Sequence, residues 1–431
     1  MAARSAIRSS PQRGTAIAPD GAQTHHNYGP DMTEQTSFQV VVAGGGVAAL
    51  ETLMALRDLA GERVDMTLIA PETTFTYRPM KVAEPFSKGH AHEYGLLEIA
   101  RDHGARFIRD SIAEVHAEEK VVRCASGAHL PYDHLVLATG AKAGPAYRDA
   151  LTFGEDPSEE RLHGMLADLE QGYVHSVAFV VPGEAAWTLP LYEIALMTAR
   201  QAWGLGMDRV RFTLVTPEER PLAMFGGPAS QAVAEMLAAE GIEFVGASYP
   251  TVGRGYVIAD PGGRRIDVDR VVSLPVLDGR RLAGVPADAT GFIPVDAYGR
   301  VRGVADVYAA GDGTNFPIKQ GGLATQQADA VAQMIAAEVG AGVDPEPFRP
   351  VLRGLLLTGG DDRYMRHSIA GGAGEGEVSG RTLWWPPTKI AGRYLSGYLF
   401  DRDDAQTVEE IRSGHLEVEI PLDAHAAAGH S

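Results

Sequence analysis

The stretch that decides the fold is Phe38–Ala60, FQVVVAGGGVAALETLMALRDLA. Its first six residues are a continuous apolar run, which is typical of a buried parallel strand. The glycines that follow fit the pattern GxGxxA, and apolar residues at helical spacing begin directly after them. A second strand is predicted over Val64–Ala70. A strand, a glycine-rich turn, a helix and a strand in this order indicate a unit that binds dinucleotides.

Each small residue of this turn has a predicted role. Gly44 allows the tight turn, Gly46 lets the backbone approach a pyrophosphate, and Ala49 lets the helix lie close to the strand. The acidic residue that usually binds the adenosine ribose is missing, because Ala70 ends the second strand. Glu72 is the candidate replacement. The alternative is a glycine-rich turn in an ordinary α/β fold.

Two further segments carry glycine at the end of a predicted strand. Residues 130–141 read LPYDHLVLATGA, so this strand ends at Thr139 and Gly140. Residues 301–312 read VRGVADVYAAGD, so the other strand delivers Gly311 and Asp312, whose carboxylate can accept a hydrogen bond from a ribityl hydroxyl. A helix is predicted over residues 321–336, and its N-terminus would favour negative charge on a reduced flavin.

Taken together, the three segments resemble the flavoproteins that have two dinucleotide-binding domains. They are most similar to the branch that contains type II NADH dehydrogenases and sulfide:quinone oxidoreductases. The resemblance covers about residues 38–340 and implies an α/β fold with two Rossmann-like domains, an FAD domain with an inserted NAD-type domain, plus a small C-terminal region. It also implies an FAD-dependent oxidoreductase that passes electrons from a small donor through non-covalent FAD to an acceptor, with a quinone as the candidate.

The resemblance also assigns roles to individual residues. The residues that would hold FAD are Gly44, Gly46 and Ala49 at the pyrophosphate, Arg78 in the flavin pocket, Thr139 and Gly140 on the adenine and pyrophosphate side, and Gly311 and Asp312 at the ribitol. Glu72, the candidate at the adenosine ribose, is a departure from the family pattern. Lys319 and Gln327 would lie beside the isoalloxazine as catalytic residues. The alternative for these two is an ordinary helix start with solvated side chains.

The expected organisation has six segments. They are a disordered tail (1–36), the N-terminal half of the FAD domain (37–150), an NAD-type domain (151–285), the C-terminal half of the FAD domain (286–352), a C-terminal region (353–422) and a second tail (423–431). Met32 is an alternative start. The tail residues His25, His26, His425 and His430 are interpreted as flexible, and no residues are assigned to a metal.

The second βαβ unit has a damaged phosphate turn. Its strands are predicted over residues 175–182 and 210–215, with a helix over residues 191–204 between them. A helix over residues 230–240 and a β-prone meander up to about residue 272 follow, and a similar meander is predicted at about residues 112–133. The turn Pro182–Pro190 retains only Gly183, and its other residues crowd the place of a pyrophosphate. Usual NADH binding is therefore not expected. By resemblance, such a glycine-poor turn favours the sulfide:quinone enzymes.

Composition excludes several functions. The chain has 38 basic and 56 acidic residues and a net charge of −18, which argues against a nucleic-acid partner and against binding of the whole surface to an anionic membrane. Cys124 is the only cysteine, so a disulfide and the cysteine pair of sulfide oxidation are both excluded. No apolar run is long enough to span a bilayer, and no secretion signal is found, so cytoplasmic residence is expected, with possible contact to the inner membrane surface.

The C-terminal region begins with a strand predicted over residues 355–358. Its later segment Trp384–Phe400 is aromatic and contains two prolines. Internal packing or a homodimer contact is one interpretation, and contact with a membrane or a quinone is the other. Three functions remain open: an FAD-dependent oxidoreductase, a sulfide:quinone reductase that uses external thiols, and a flavin-bound redox sensor that is not an enzyme.

Overall fold

Two parallel sheets form the framework of the protein. The structure is a computed structural model that describes residues 37–154, 158–369 and 376–403. Both predicted tails, 1–36 and 423–431, lie outside these ranges. Within them, each parallel sheet is covered by helices on one face and by a small antiparallel sheet on the other. The predicted α/β class with two Rossmann-like units is therefore confirmed.

The first sheet contains the segment that begins at Phe38. Its side chains alternate between the two faces: Val40 and Val42 pack against the helices, whereas Val41 and Ala43 pack against the antiparallel sheet. This double burial explains the continuous apolar run. The five parallel strands are, in spatial order, Val307–Ala309, His134–Leu137, Phe38–Ala43, Val64–Ala70 and Ala105–Arg109.

Six numbered α-helices lie within the described ranges. In chain order they are α1 (Val47–Ala60), α2 (Leu96–Asp102), α3 (Ser158–Glu170), α4 (Leu189–Gly204), α5 (Gly227–Ala239) and α6 (Gly321–Glu338). Helices α1 and α6 pack against each other on one face of the first sheet. Residues 395–403 are also helical. Short 3₁₀ turns cover Gly61–Arg63, Arg78–Val82, Glu84–Phe86, Ala223–Phe225 and Gly311–Gly313.

The second sheet repeats this plan. Val177 and Phe179 face the larger core, which contains α4 and α5, and Ala178 and Val180 face the smaller core on the other side. The five parallel strands are, in spatial order, Leu151–Thr152, Arg270–Ser273, Ser176–Val180, Arg211–Val215 and Ile242–Val245.

Antiparallel pairs cover and connect the two parallel sheets. Strand Ala141–Pro145 leaves the first unit and pairs with the returning strand Pro275–Gly279. The two meanders expected from the sequence are present. Their strands are Ile112–His116, Val121–Cys124 and His129–Pro131 in one, and Tyr249–Gly253, Tyr256–Asp260 and Arg264–Asp267 in the other. The remaining strands are the pair Thr74–Thr76 and Glu93–Gly95, and the C-terminal set Val351–Leu356, Arg363–Ser368 and Glu377–Ser379.

Some predicted boundaries are shifted. Helix α4 begins at Leu189 rather than Leu191, because Pro190 fits the first helical turn, where its missing N–H costs nothing. Helix α5 begins at Gly227 rather than Ser230 for the same reason. The strand expected at residues 355–358 is instead Val351–Leu356. Among the described residues, no helix is long and apolar enough to cross a bilayer.

Candidate functional site

The turn after the first strand leaves open space at the start of α1. Gly44 has φ +132°, and a Cβ there would lie 2.1 Å from the carbonyl oxygen of Ala138, so only glycine fits. A Cβ on Gly46 would meet nothing within 4 Å. Gly46 is the N-cap of α1, and no side chain caps this helix or places an acid in its first turn. The N–H groups of α1 therefore face a space that suits a phosphate.

The three predicted glycine turns meet at the carboxyl ends of neighbouring strands. A Cβ on Gly313 would lie 3.3 Å from the carbonyl oxygen of Gly140, and a Cβ on Gly311 would lie 2.9 Å from the Cβ of Ala48. A Cβ on Gly140, which has φ +68°, would meet nothing within 4 Å. Chain segments that are up to 267 residues apart, from Gly44 to Gly311, thus surround one cradle.

Two further predicted residues of the first loop lie in different surroundings. Ala49 is fully buried between α1 and the first sheet, which agrees with its predicted packing role. Ala70 ends the second strand, and Glu72 follows with an exposed side chain. Thr139 is half-buried beside Gly140. The structure thus brings all the predicted glycines to one place, but Glu72 lies at the surface.

Asp312, at the Gly311 turn, lies within electrostatic reach of Lys319 and of the exposed Arg78. Burial raises the pKa of the Asp312 carboxyl, and the nearby cations Lys319 and Arg78 oppose that rise. Burial lowers the pKa of Lys319 to about 8, against the attraction of Asp312 and Asp288. The Lys319 ammonium donates to the carbonyl of Thr314 and lies 3.7 Å from the centroid of the Phe292 ring. A cation that can exchange a proton near neutral pH is therefore held beside the cradle.

Gln327 supports the same turn from behind. Its Oε1 accepts a hydrogen bond of 2.7 Å from the backbone N–H of Gly311, and its Nε2 lies 3.4 Å from the Thr314 hydroxyl. The side chain is buried. The interpretation of Gln327 as a solvated helix-start residue is therefore wrong. Its contacts hold the Gly311 turn in place.

In the second unit, side chains of the protein fill the space at the turn Pro182–Pro190, which corresponds to the phosphate turn of the first unit. A Cβ on Gly183 would lie 3.2 Å from the ring of Tyr249, and the Trp187 ring packs edge-on against Phe225. The carbonyl of Ala186 accepts a hydrogen bond of 3.4 Å from the backbone N–H of Lys319. The turn therefore packs against the Lys319 region instead of framing an open cradle.

Glu218 occupies the region beside the first turn of α4. Its carboxylate accepts hydrogen bonds from the hydroxyls of Tyr192 (2.6 Å), Thr216 (3.1 Å) and Thr188 (3.2 Å), and Thr188 is the N-cap of α4. Burial raises the pKa of Glu218, and these hydrogen bonds oppose the rise. Glu218 therefore holds a carboxyl group beside the first turn of α4 and connects that turn to the end of the strand Arg211–Val215.

Comparison with known families agrees with this architecture. The sequence model of the pyridine nucleotide-disulphide oxidoreductases matches residues 38–163 and 193–333. The chain belongs to the pyridine nucleotide-disulphide oxidoreductase family. The predicted resemblance is therefore confirmed, and the protein is an oxidoreductase. Residues 164–192, which contain the filled turn before α4, are outside the match.

Individual relatives of this oxidoreductase are distant. Sulfide-quinone reductase of Aquifex aeolicus is 25% identical over 352 residues, which cover 77% of this chain and 75% of the relative. The crystal structure of the sulfide:quinone oxidoreductase of the same organism has a TM-score of 0.73 at 19% identity and covers 88% of this chain and 92% of that one. The structure of NDH2 from Plasmodium falciparum in complex with NADH has a TM-score of 0.53 at 16% identity, with 65% of each chain covered. The two structures show a shared fold.

A buried ion pair connects α4 of the oxidoreductase with its C-terminal region. The Lys389 ammonium lies 2.7 Å from both carboxylate oxygens of Glu193, whose side chain is fully buried. The backbone N–H of Leu357 donates to the same carboxylate at 2.8 Å. Burial raises the pKa of Glu193, and Lys389 opposes the rise. Sequence reasoning missed this pair, because its members are 196 positions apart and neither lies in a recognisable motif.

The start of α6 is also tied to the C-terminal region. The Gln326 side chain exchanges two hydrogen bonds with the backbone of Val351, and the Gln320 amide donates to the carbonyl of Arg353. The hydroxyl of the half-buried Tyr77 accepts a hydrogen bond of 2.8 Å from the backbone N–H of Ile390. Trp385 remains 74% exposed, with its ring 5.4 Å from that of Phe400. The C-terminal region of the oxidoreductase therefore packs internally and still presents one exposed tryptophan.

The only cysteine of the oxidoreductase is not in a setting that suits redox chemistry. Cys124 is fully buried in the strand Val121–Cys124 of the first meander. Burial raises the pKa of its thiol. Since the thiolate is the reactive form, Cys124 is suited to packing rather than to redox chemistry.

Proposed function

We propose that the protein binds FAD non-covalently in the cradle of the three glycine turns and transfers electrons from a small reductant to a quinone. The observation that carries this proposal is the convergence of Gly46, Gly140 and Gly311 at the carboxyl ends of adjacent strands. When bound, FAD supplies the redox chemistry by accepting an electron pair and passing it on. The donor is oxidised by two electrons, and the quinone takes up two electrons and two protons to leave as the quinol.

The chain's own residues bind and orient the cofactor. The N–H groups of α1 would face the pyrophosphate, and Asp312 would accept a hydrogen bond from the ribitol. Gln327 acts as a positioning residue, because it fixes the backbone N–H of Gly311. Lys319 holds a proton at Nζ beside Asp312 at neutral pH, since its pKa is about 8. A positive charge there favours a cofactor that becomes negative on reduction.

The donor that we propose is not NAD(P)H bound in the usual mode. Glu218 lies beside the first turn of α4, and Tyr249 and Phe225 pack against Gly183 and Trp187 of the turn before it. A pyrophosphate would have to displace the aromatic side chains to reach the first turn of α4. A small reductant needs no such pocket. With Cys124 buried, sulfide would require an external thiol or another small acceptor for its sulfur.

The proposed quinone acceptor is supported by the surface of the C-terminal region. Trp385 is exposed with Phe400 beside it, and amphipathic aromatic side chains favour the boundary between lipid and water. Peripheral contact of a cytoplasmic enzyme with the membrane would give it access to a quinone dissolved there. The homodimer contact predicted for the same segment is the competing use of this surface.

The deciding experiment is anaerobic reduction of the purified, FAD-loaded protein. We expect NADH and NADPH to bleach the flavin absorbance slowly, sulfide with an added thiol to bleach it rapidly, and a short-chain quinone to restore the colour. Rapid bleaching by NADH would overturn the proposed donor. No bleaching by any of these donors would favour a redox sensor, and a protein that stays colourless with excess FAD would refute the cofactor itself.

A further inference from the structure

Three potential metal ligands meet at the end of the first sheet where its strands begin. The glycine cradle lies at the other end, where the strands finish. His134 begins the strand His134–Leu137, Asp306 immediately precedes the strand Val307–Ala309, and Glu338 is the last residue of α6. One ligand atom from each residue lies within 4.8 Å of the other two. The strand that starts at His134 ends at the cradle, about 13 Å away.

The His134 ring is buried and has an unused nitrogen. Its side chain is 7% exposed, and Nδ1 has no hydrogen-bond partner. That nitrogen lies 3.6 Å from Oε2 of Glu338, which is too long for a hydrogen bond. Two ligand atoms on one tetrahedral zinc ion lie about 3.3 Å apart, given bond lengths near 2.0 Å. The gap between Nδ1 and Oε2 is therefore close to the spacing that a bridging ion requires.

The electrostatic surroundings favour a cation. Glu338 is at the C-terminal end of α6, where the helix dipole is negative. A polar pocket of about 390 Å³ lined by Asp306, Tyr308 and Glu338 gives an ion access from solvent.

Two cations and a hydroxyl already contact these carboxylates, and a metal would compete with them. Lys120 lies 2.7 Å from Oδ2 of Asp306, Arg300 lies 3.3 Å from Oε1 of Glu338, and the Tyr308 hydroxyl donates to Oε2 of Glu338. The side chains of Lys120 and Arg300 are each 45% exposed, so they can move into solvent when the ion binds.

We propose that His134, Asp306 and Glu338 bind a divalent transition-metal ion, with Zn²⁺ as the best match to one imidazole nitrogen and two carboxylate oxygens. A water molecule completes the tetrahedron. The ion joins the starts of two neighbouring strands to the end of α6, so it acts on stability and lies away from the electron-transfer site. This site does not depend on the proposed function.

The test is a Zn²⁺ titration of the full chain, from which bound metal has first been removed by dialysis against a chelator. A second, chromophoric chelator competes with the protein for Zn²⁺, and its absorbance reports the affinity of the protein for the ion. The parent chain for all these measurements carries Asn in place of four tail histidines that could bind the ion independently, namely His25, His26, His425 and His430. We expect one Zn²⁺ per chain and a visible absorption band of low-symmetry Co²⁺ when Co²⁺ is substituted. Asp306→Asn should weaken Zn²⁺ binding by more than about 100-fold.

Asp306→Asn is the preferred variant because Asp306 has φ +57°, a conformation that Asn also adopts readily. His134→Gln is the second variant and should weaken binding equally. The matched control is His116→Gln, since His116 lies at the same 3.6 Å from Glu114 but is half-exposed, and it should bind Zn²⁺ like the parent chain. Lys120→Met should tighten binding, because it removes the competitor of the ion at Asp306.

Unchanged Zn²⁺ affinity in both Asp306→Asn and His134→Gln would overturn the proposal, as would the absence of bound Zn²⁺ in the parent chain. Folding of each variant is checked by its thermal midpoint without metal. In the parent chain this midpoint should rise with Zn²⁺ concentration, because the ion binds the native state, and in Asp306→Asn it should not.

Discussion

At the scale of single residues, the two glycines Gly44 and Gly46 in the turn before α1 have different surroundings. Gly44 is fixed by the protein itself, because any Cβ would collide with the Ala138 carbonyl. Gly46 has no such neighbour, and its Cβ would point into open space at the start of α1. The fold therefore sets no steric limit at Gly46, and under the proposed function the pyrophosphate would set it.

Replacing Gly46 with Val should therefore remove FAD without unfolding the chain. The branched side chain would fill the space of the pyrophosphate, so we expect the purified variant to retain less than about a tenth of the wild-type flavin. The absorbance ratio of flavin to protein measures this. Gly144→Val is the control, since a Cβ on Gly144 also meets nothing within 4 Å but lies in the strand Ala141–Pro145. A fully yellow Gly46→Val protein would exclude this turn as the cofactor site.

At the scale of elements, polar contacts attach the C-terminal region to the two parallel units. Glu193 of α4 binds Lys389, and Glu51 of α1 accepts three backbone N–H groups from Arg393, Tyr394 and Leu395 at the start of the helical residues 395–403. Both glutamates are fully buried. Since an isolated buried carboxylate is costly, these contacts define where the C-terminal region must sit.

Lys389→Met tests the ion pair through the free energy of unfolding. It leaves Glu193 buried without its cation, which should cost about 3–5 kcal/mol at pH 8. The pKa of Glu193 is already raised by burial, and without Lys389 it rises further. A carboxyl whose pKa is higher in the folded state binds more protons there, so stability falls as pH rises through that range. The loss should therefore be smaller at pH 5, where Glu193 can be neutral.

Urea unfolding at both pH values provides the measurement for this variant. Lys142→Met is the control, because Lys142 is exposed and its replacement should change stability little at either pH. An equal loss for Lys389→Met at pH 5 and pH 8 would show that packing, and not the charge on Glu193, causes the effect.

At the scale of the whole molecule, charge and surface composition limit how the protein can meet a membrane. The net charge of −18 opposes binding to anionic lipid, whereas the exposed Trp385 offers an apolar anchor that needs no charge. Contact through this residue would bring the C-terminal region, rather than either parallel sheet, to the lipid surface.

Trp385→Ala should weaken partition of the protein onto zwitterionic vesicles by about tenfold. Burial of an aromatic side chain contributes about 1.5–3 kcal/mol, and 1.4 kcal/mol corresponds to a factor of ten. Co-sedimentation with phosphatidylcholine vesicles measures the partition. Tyr173→Ala is the control, since Tyr173 is 70% exposed but lies after α3, in the second unit. Equal binding of the wild type and Trp385→Ala would exclude this anchor and leave the homodimer contact as the use of the surface.

The sequence by itself determined the two parallel sheets and the positions of the glycine turns. Apolar runs such as Phe38–Ala43 are buried on both faces, and the turns after them follow local backbone rules, so their signals are contained in short windows. The same locality explains the correct placement of Gly44, Gly140 and Gly311 at strand ends. The predicted starts of α4 and α5 are two and three residues too late, because a proline suits the first turn of a helix as well as the boundary before it.

Only the tertiary structure decided which side chains meet. Gln327 binds the Gly311 N–H, Glu218 fills the region beside α4, and Lys389 neutralises Glu193 through contacts between distant segments. The cluster of His134, Asp306 and Glu338 likewise spans 204 positions. Burial sets the pKa of several of these groups, and burial is a property of the packed chain. Local patterns therefore determine backbone elements, whereas the charge and partners of a buried side chain depend on the packing between them.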